Sequence, residues 1–201
     1  RPAARGLRDR CGVPPGARLT LDRRLPVASG FGGGSADAAA ALRLLSRWWN
    51  LPAGESELLG LAALLGADVP ACLLSRTTRG TGRGDLLEPL AGDDLSGRPV
   101  LLVNPRVPVS TAEVFRRCDG IDRGPLGSWR EGRNDLEPAA LALAPEIGEI
   151  LEALDGAETA RMSGSGATCF GLFATEPDRD AAAAGIRASH PGWWTLPSHL
   201  K

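Results

Sequence analysis

Residues 30–41, GFGGGSADAAAA, constrain this chain more than any other stretch, because a glycine loop runs without a spacer into an alanine-rich helix. Gly30, Gly32, Gly33 and Gly34 leave backbone N–H groups bare, and no Cβ keeps a polyanion at a distance. The helix behind them adds its own unpaired N–H groups and the positive end of its dipole, the physics of a phosphate cradle. Ser35 is the expected N-cap, with a hydroxyl that can serve the helix or a ligand. The same residues also fit a closely packed strand-to-helix turn that binds nothing. Two familiar nucleotide loops fail on residue identity. A GxGxxG fingerprint needs glycine where Ser35 stands, and a P-loop needs a lysine after its last glycine. Of the 23 basic residues, only Lys201 is a lysine.

The chain has 201 residues, room for one large domain or two modest ones. With 43% hydrophobic and 23% charged residues, it can form a packed core rather than remain disordered. A formal net charge of −1 argues against a dedicated nucleic-acid or membrane-surface binder. No apolar run reaches the length of a bilayer span. Cys11, Cys72, Cys118 and Cys169 lie far apart and form no CxxC pair, which disfavours a zinc site or disulfide framework and fits a reducing, cytoplasmic compartment. Residues 1–14 are basic but lack the apolar segment of a signal peptide.

Pattern along the chain predicts an α+β protein in two lobes divided near residues 90–98. Residues 7–12 read as a helix end, with Gly12 as its C′ glycine. Residues 17–25 alternate like a half-buried strand, through Leu19 and Leu21. The helix after the loop runs to about Trp49, and a second spans 55–65 and stops at Gly66. Residues 77–90 are strand-like with glycine punctuation, 91–97 look like a junction, and 99–104 are a buried strand. A short helix begins at Ser110-Thr111, an irregular loop covers 118–133, and a helix covers 145–154. Residues 158–174 read as strand, glycine turn and strand. A helix over 178–188 and a strand over 192–196 follow.

Asp68, in LGADVPA, lies between a helix ending at Gly66 and a next helix whose first turn suits Pro70. Beyond a helix C-terminus a carboxylate feels the negative dipole end, which raises its basicity and suits a general base. A turn aspartate bonding its own backbone fits the same residues. MSGSGAT, residues 162–168, either presents N–H and hydroxyl donors to a ligand or is an ordinary hairpin turn. Phe115 is either helix core or an aromatic platform for a base. His190 and His199 lack an evident partner carboxylate or cysteine, which speaks against a metal or triad role. Trp48-Trp49 and Trp193-Trp194 each place one ring inward and one outward.

Taken together, RLPVASGFGGGSADAAAAL, LGADVPACL, GTGRGD, VSTAEVF, RNDLEPAA, RMSGSGATCFGLF and PGWW resemble the GHMP kinase superfamily, in the expected order and over nearly the whole chain. Within it they look like the branch that phosphorylates a cytidine-diphosphate sugar-alcohol in non-mevalonate isoprenoid biosynthesis. Homoserine and mevalonate kinases, or a non-catalytic nucleotide-binding remnant, are the alternatives. The resemblance implies a two-lobed fold: a partial N-terminal ATP-binding domain over 1–92 and a ferredoxin-like C-terminal domain over 97–201. It implies ATP as phosphoryl donor with Mg²⁺, held at Pro26, Val27, Ala28, Ser29, Gly30, Phe31, Gly32, Gly33, Gly34, Ser35 and Ala36. It makes Asp68 the catalytic base and Phe115 a contact for the substrate's cytosine. The partner is then a small molecule rather than nucleic acid or membrane, and the chain a monomer or homodimer. By the same resemblance, an A-K-x-N-L strand with a catalytic lysine precedes Arg1. The 201 residues alone are expected to show negligible kinase activity.

Overall fold

The structure, a computed structural model, describes residues 3, 6, 7, 16–22, 30–52, 54–82, 84, 86–90 and 94–201. The chain divides into two compact units, Arg1–Arg24, Gly32–Asp93 and Lys201 in one, Leu25–Phe31 and Asp94–Leu200 in the other.

Three helices of the first unit can be followed from end to end among the described residues. In α1 (Gly33–Trp48) the buried Ala39, Leu42 and Leu45 recur at helical spacing and form its inner stripe. Helix α2 (Glu55–Leu65) ends at Gly66, as its leucine spacing implies, and buries Leu61 and Ala62. The six-residue α3 (Val69–Leu74) buries Val69 and Leu73. Ala3 and Leu7, both helical, join the same apolar cluster, while the helix end expected at Gly12 lies outside the described residues. Trp49 packs on this cluster and Trp48 is exposed, the expected division of that pair. Residues 77–90 contain the hairpin β1 (Thr78–Thr81) and β2 (Leu86–Pro89), paired antiparallel from Thr78 with Pro89 to Thr81 with Leu86.

The strand expected over 17–25 does not form where it can be followed. Residues 16–22 have no regular structure, and Leu19 and Leu21 are exposed. An alternating pattern becomes a strand only beside a partner ladder, and among the described residues none lies next to it. Residues 23–25 lie outside the described set.

The second unit carries a four-stranded antiparallel sheet. In chain order it runs β3 (Pro99–Asn104), α4 (Thr111–Arg117), α5 (Glu137–Leu141), α6 (Glu146–Ala153), β4 (Thr159–Met162), β5 (Cys169–Leu172), α7 (Glu176–Ser189) and β6 (Trp194–His199). The spatial order β4-β5-β3-β6 is that of a ferredoxin-like split βαβ unit, with β3 central. Leu101 and Val103 of β3 alternate into one face, where Ile147 and Ile150 of α6 and Ala183 and Ile186 of α7 close the core. Helix α7 starts two residues before the predicted helix, because the Thr175 side chain accepts from the Asp178 N–H and Pro177 suits the first turn. Strand β6 reaches past Pro197 to His199, further than expected. It lies at the sheet edge, where a missing N–H is tolerated. Helix α5 was not anticipated, although Glu137 and Pro138 at its start are ordinary first-turn residues. His199 does have a carboxylate partner, Glu176, at 3.1 Å. Chain distance had hidden it.

The irregular 118–133 segment is fastened to the start of the second unit through Trp129. Its indole N–H donates to Asp94 Oδ1 at 2.8 Å, and Arg98 and Arg130 stand over the ring. Arg130 also donates to Asp94 Oδ2 at 2.6 Å. Hydrogen bonds from Arg130 and then Trp129 lower the Asp94 carboxyl from 3.8 to about 2. A depressed folded-state pKa means the contact is fully in force above about 3.8 and is lost as pH falls toward 2. Trp129 emission, read as the difference from a Trp129→Phe variant, should therefore stay constant down to about pH 3.5 and change only below it. A midpoint near pH 4 would show that Asp94 is not held by this pair.

Candidate functional site

In the first unit, α1 begins earlier than Ser35 capping implies. Gly32 is the N-cap, at φ 62° and ψ 25°, and Ser35 is the third helical residue. The left-handed conformation is open to glycine at little cost, so the helix starts as soon as Gly32 adopts it. No side chain caps this end and no acidic residue occupies the first turn. The first intrahelical bond runs from the Ala36 N–H to the Gly32 carbonyl at 2.9 Å, so the N–H groups of Gly33, Gly34 and Ser35 have no partner within the helix. A run of donors without intrahelical partners at the positive end of a 16-residue helix is suited to an anion.

Asp68 stands beside that end. A Cβ on Gly32 would lie 3.9 Å from Asp68 Oδ2 and 4.0 Å from the Ser35 Cβ, so carboxylate and serine flank the same glycine. Asp68 is exposed and occupies the N-cap position of α3, yet its side chain makes no capping bond. It is therefore not the self-bonded turn aspartate of the bland alternative. Asp68 follows the C-terminus of α2 and begins α3. What fixes it is Arg43 of α1, whose Nη1 donates to the carbonyls of Cys72 at 2.8 Å and Leu73 at 3.0 Å. This guanidinium satisfies the last turn of α3 and ties it to α1. Four residues along, burial and then the Asp68 charge push the Cys72 thiol up, so it stays protonated and is no rival nucleophile.

In the second unit, the 162–168 segment joins β4 to β5 as a tight turn, with the Ser163 N–H bonded to the Thr168 carbonyl at 2.8 Å. It receives Gly30, the other described end of the loop. Ser163 Oγ donates to the Gly30 carbonyl at 3.2 Å, and Gly30 has φ 71°. Phe31 meets Trp194 edge-on, with ring centroids 6.3 Å apart. Pro26, Val27, Ala28 and Ser29 lie outside the described residues. Phe115 is 61% exposed while its neighbour Val114 is fully buried, so Phe115 is not helix core. The helix that carries it is capped by Ser110 and braced by Glu113 against Arg116 and Arg117.

Sequence reasoning missed what holds the glycine turn. Asn134 Nδ2 donates to the carbonyls of Met162 at 2.9 Å and Gly164 at 2.8 Å. Thr111 Oγ1 meets Ser165 Oγ at 2.8 Å, and the buried Asn104 donates to Thr168 Oγ1 at 2.8 Å. Two asparagines at the ends of apolar or charged runs were the available signal, but their partners lie 28 to 64 residues away.

Residues 1–76 match the GHMP kinases N terminal domain and residues 119–192 the GHMP kinases C terminal domain, which with the split βαβ sheet defines the class. A curated 4-diphosphocytidyl-2-C-methyl-D-erythritol kinase from Rhizorhabdus wittichii is 53% identical over 208 aligned positions, covering 99% of this chain and 71% of that protein. The crystal structure of a 4-(cytidine 5'-diphospho)-2C-methyl-D-erythritol kinase superposes with a TM-score of 0.81 at 33% identity, over 98% of this chain and 77% of the other. The chain belongs to the 4-diphosphocytidyl-2-C-methyl-D-erythritol kinase family of GHMP kinases, and has the α+β fold of that superfamily. Homoserine kinase from Cytophaga hutchinsonii matches with a TM-score of 0.79 over 99% of this chain and 74% of the other, but at 18% identity this shows a shared fold alone. Among the described residues, no helix is long and apolar enough to cross a membrane.

Proposed function

We propose that this protein transfers the γ-phosphoryl group of ATP to the 2-hydroxyl of 4-diphosphocytidyl-2-C-methyl-D-erythritol, in non-mevalonate isoprenoid biosynthesis. The observation that carries this reading is the exposed Asp68 carboxylate next to Gly32, at the uncapped N-terminus of a long helix. Family membership supplies the reaction class. In the proposal residues 1–92 are the ATP-binding domain and residues 97–201 the C-terminal domain. The phosphates lie over Gly30 to Ser35, where bare N–H groups neutralise the charge that spreads over the phosphoryl oxygens. Asp68 accepts the acceptor hydroxyl's proton as its oxygen bonds to the γ-phosphorus and ADP leaves. Phe115 offers an exposed ring on which the cytosine stacks.

Mg²⁺ takes most of its ligands from phosphate and water and needs one or two protein oxygens. Among the described residues no three His, Cys, Asp or Glu side chains come together, and Ser35, beside Gly32, carries a hydroxyl oxygen of the hard kind the ion prefers. When bound with ATP it neutralises phosphate charge. The protein acts on a small molecule in the cytoplasm, as a monomer or homodimer.

The test is ADP release by the full-length protein with three acceptors in turn. Turnover is expected with 4-diphosphocytidyl-2-C-methyl-D-erythritol and not with homoserine or mevalonate. Preference for either of those would overturn the substrate assignment, and ATP binding without turnover of any acceptor would favour a non-catalytic nucleotide-binding module.

A further inference from the structure

Among the described residues, the glycine turn at 162–168 meets the phosphate loop at Gly30, whose carbonyl accepts from Ser163 Oγ. Both faces of that contact are tight. The Gly30 Cβ position lies 2.6 Å from the carbonyl oxygens of Ser163 and Gly166, and the Gly164 Cβ position lies 2.8 Å from the Gly30 carbonyl. A turn made of SGSG has almost no side-chain mass, so beyond its own backbone bonds from Ser163 N–H to Thr168 and from Gly166 N–H to Ser163 any support for that shape comes from outside it.

Asn134 supplies it. One amide group spends both N–H donors on the carbonyls of Met162 and Gly164, the residues on either side of Ser163. Its Oδ1 accepts from the Leu136 N–H at 3.0 Å, which fixes the amide's orientation against the chain entering α5. Two donors and one acceptor on a short stem are what the site uses, and asparagine is the side chain that offers them at this length. Ser163, gripped between the two accepted carbonyls, is the residue whose hydroxyl donates to the Gly30 carbonyl. Thr111 braces Ser165 on the far flank.

We propose that Asn134 is a positioning residue for phosphoryl transfer, holding the 162–168 turn so that Gly30 and the loop behind it stand ready for ATP. The proposal rests on the reading of Gly30 to Ser35 as the ATP-phosphate loop. Asn134 touches no substrate and acts through Ser163 and Gly30.

The experiment compares the full-length parent with Asn134→Ala, the isosteric Asn134→Asp and Ser163→Ala. ATP affinity is measured by calorimetry, the acceptor KM by ADP release, and folding by thermal melts. Loss of two hydrogen bonds should weaken ATP binding by about tenfold in Asn134→Ala while the acceptor KM stays within about twofold. Asn134→Asp keeps the shape but turns a carboxylate oxygen toward both carbonyls in place of the amide nitrogen, so it should bind ATP no better than the alanine variant. Ser163→Ala, which leaves Asn134 in place, should shift ATP affinity the same way by a smaller factor and decides the matter if the Asn134 variants do not fold. Melting temperatures that fall while the folded variants bind ATP like the parent would make Asn134 merely structural and overturn the proposal. So would an Asp variant that binds as tightly as the parent. A parent that binds no ATP overturns the phosphate-loop reading itself, whereas a parent that binds ATP beside variants that bind it equally well overturns the role of Asn134 alone.

Discussion

Replacing Asp68 with asparagine in the full-length protein is expected to lower turnover by about two to four orders of magnitude, the usual worth of a positioned general base. The substitution keeps size and shape, so the neighbourhood of Gly32 and Ser35 should persist. Because Asp68 makes no capping bond to α3, little folding stability rests on its charge, and the melting temperature should hardly move. Arg43 still ties α3 to α1 in the variant, so the asparagine stands where the aspartate stood. ATP affinity should stay near parental, since proton acceptance matters in the transition state and not in the ground state. Single-turnover ADP release beside ATP calorimetry checks both halves. A variant with near-parental turnover would mean that this carboxylate takes no proton, and the base would have to be sought elsewhere.

The helices were legible in the sequence wherever apolar spacing and end signals agreed. Leu58, Leu61 and Leu65 with Gly66 mark α2 without tertiary help, and PVLLVN marks β3 because a strand buried on both sides is apolar at nearly every position. Residues 17–25 show the limit of the same reasoning. Their alternation states a preference, but a ladder needs a neighbour, and among the described residues Leu19 and Leu21 stand exposed without one. Pro197 misled in the other direction, because only the sheet order reveals that β6 is an edge. Of the candidate site, Gly30 to Ala36 and Asp68 were visible as local patterns, glycine before a helix and aspartate between two helices. The role of Ser35 as a cap was not realised, since Gly32 can take the left-handed turn that a side-chained residue avoids. Arg43, Asn134, Thr111 and Asn104 were illegible for one shared reason. Each acts through a hydrogen bond to a residue at least 28 positions away, and pairing over that distance exists only once the fold does.

The second large effect belongs to Gly30, where an added methyl group is expected to cost ATP binding at least about tenfold. Two independent terms point the same way. Gly30 sits at φ 71°, a conformation that costs a residue with a Cβ roughly 1–2 kcal/mol. On a factor of ten per 1.4 kcal/mol, that alone cuts the population of the competent loop by about five- to thirtyfold. The methyl would also stand 2.6 Å from two carbonyl oxygens and 3.0 Å from the Gly166 nitrogen, all of them backbone atoms that cannot swing aside. Relief would have to come from moving Gly30 off the turn, which breaks the Ser163 bond to its carbonyl and shifts the loop. Gly185→Ala is the matched control. It lies exposed within α7 with no atom within 4 Å of its Cβ position, so it should leave ATP binding unchanged and stabilise the helix by about 0.5–1 kcal/mol. Calorimetry with ATP and a thermal melt on both variants separate loop placement from general tolerance of a methyl group. If Gly30→Ala binds ATP and melts like the parent, the close approach of Gly30 to the 162–168 turn does not persist in solution.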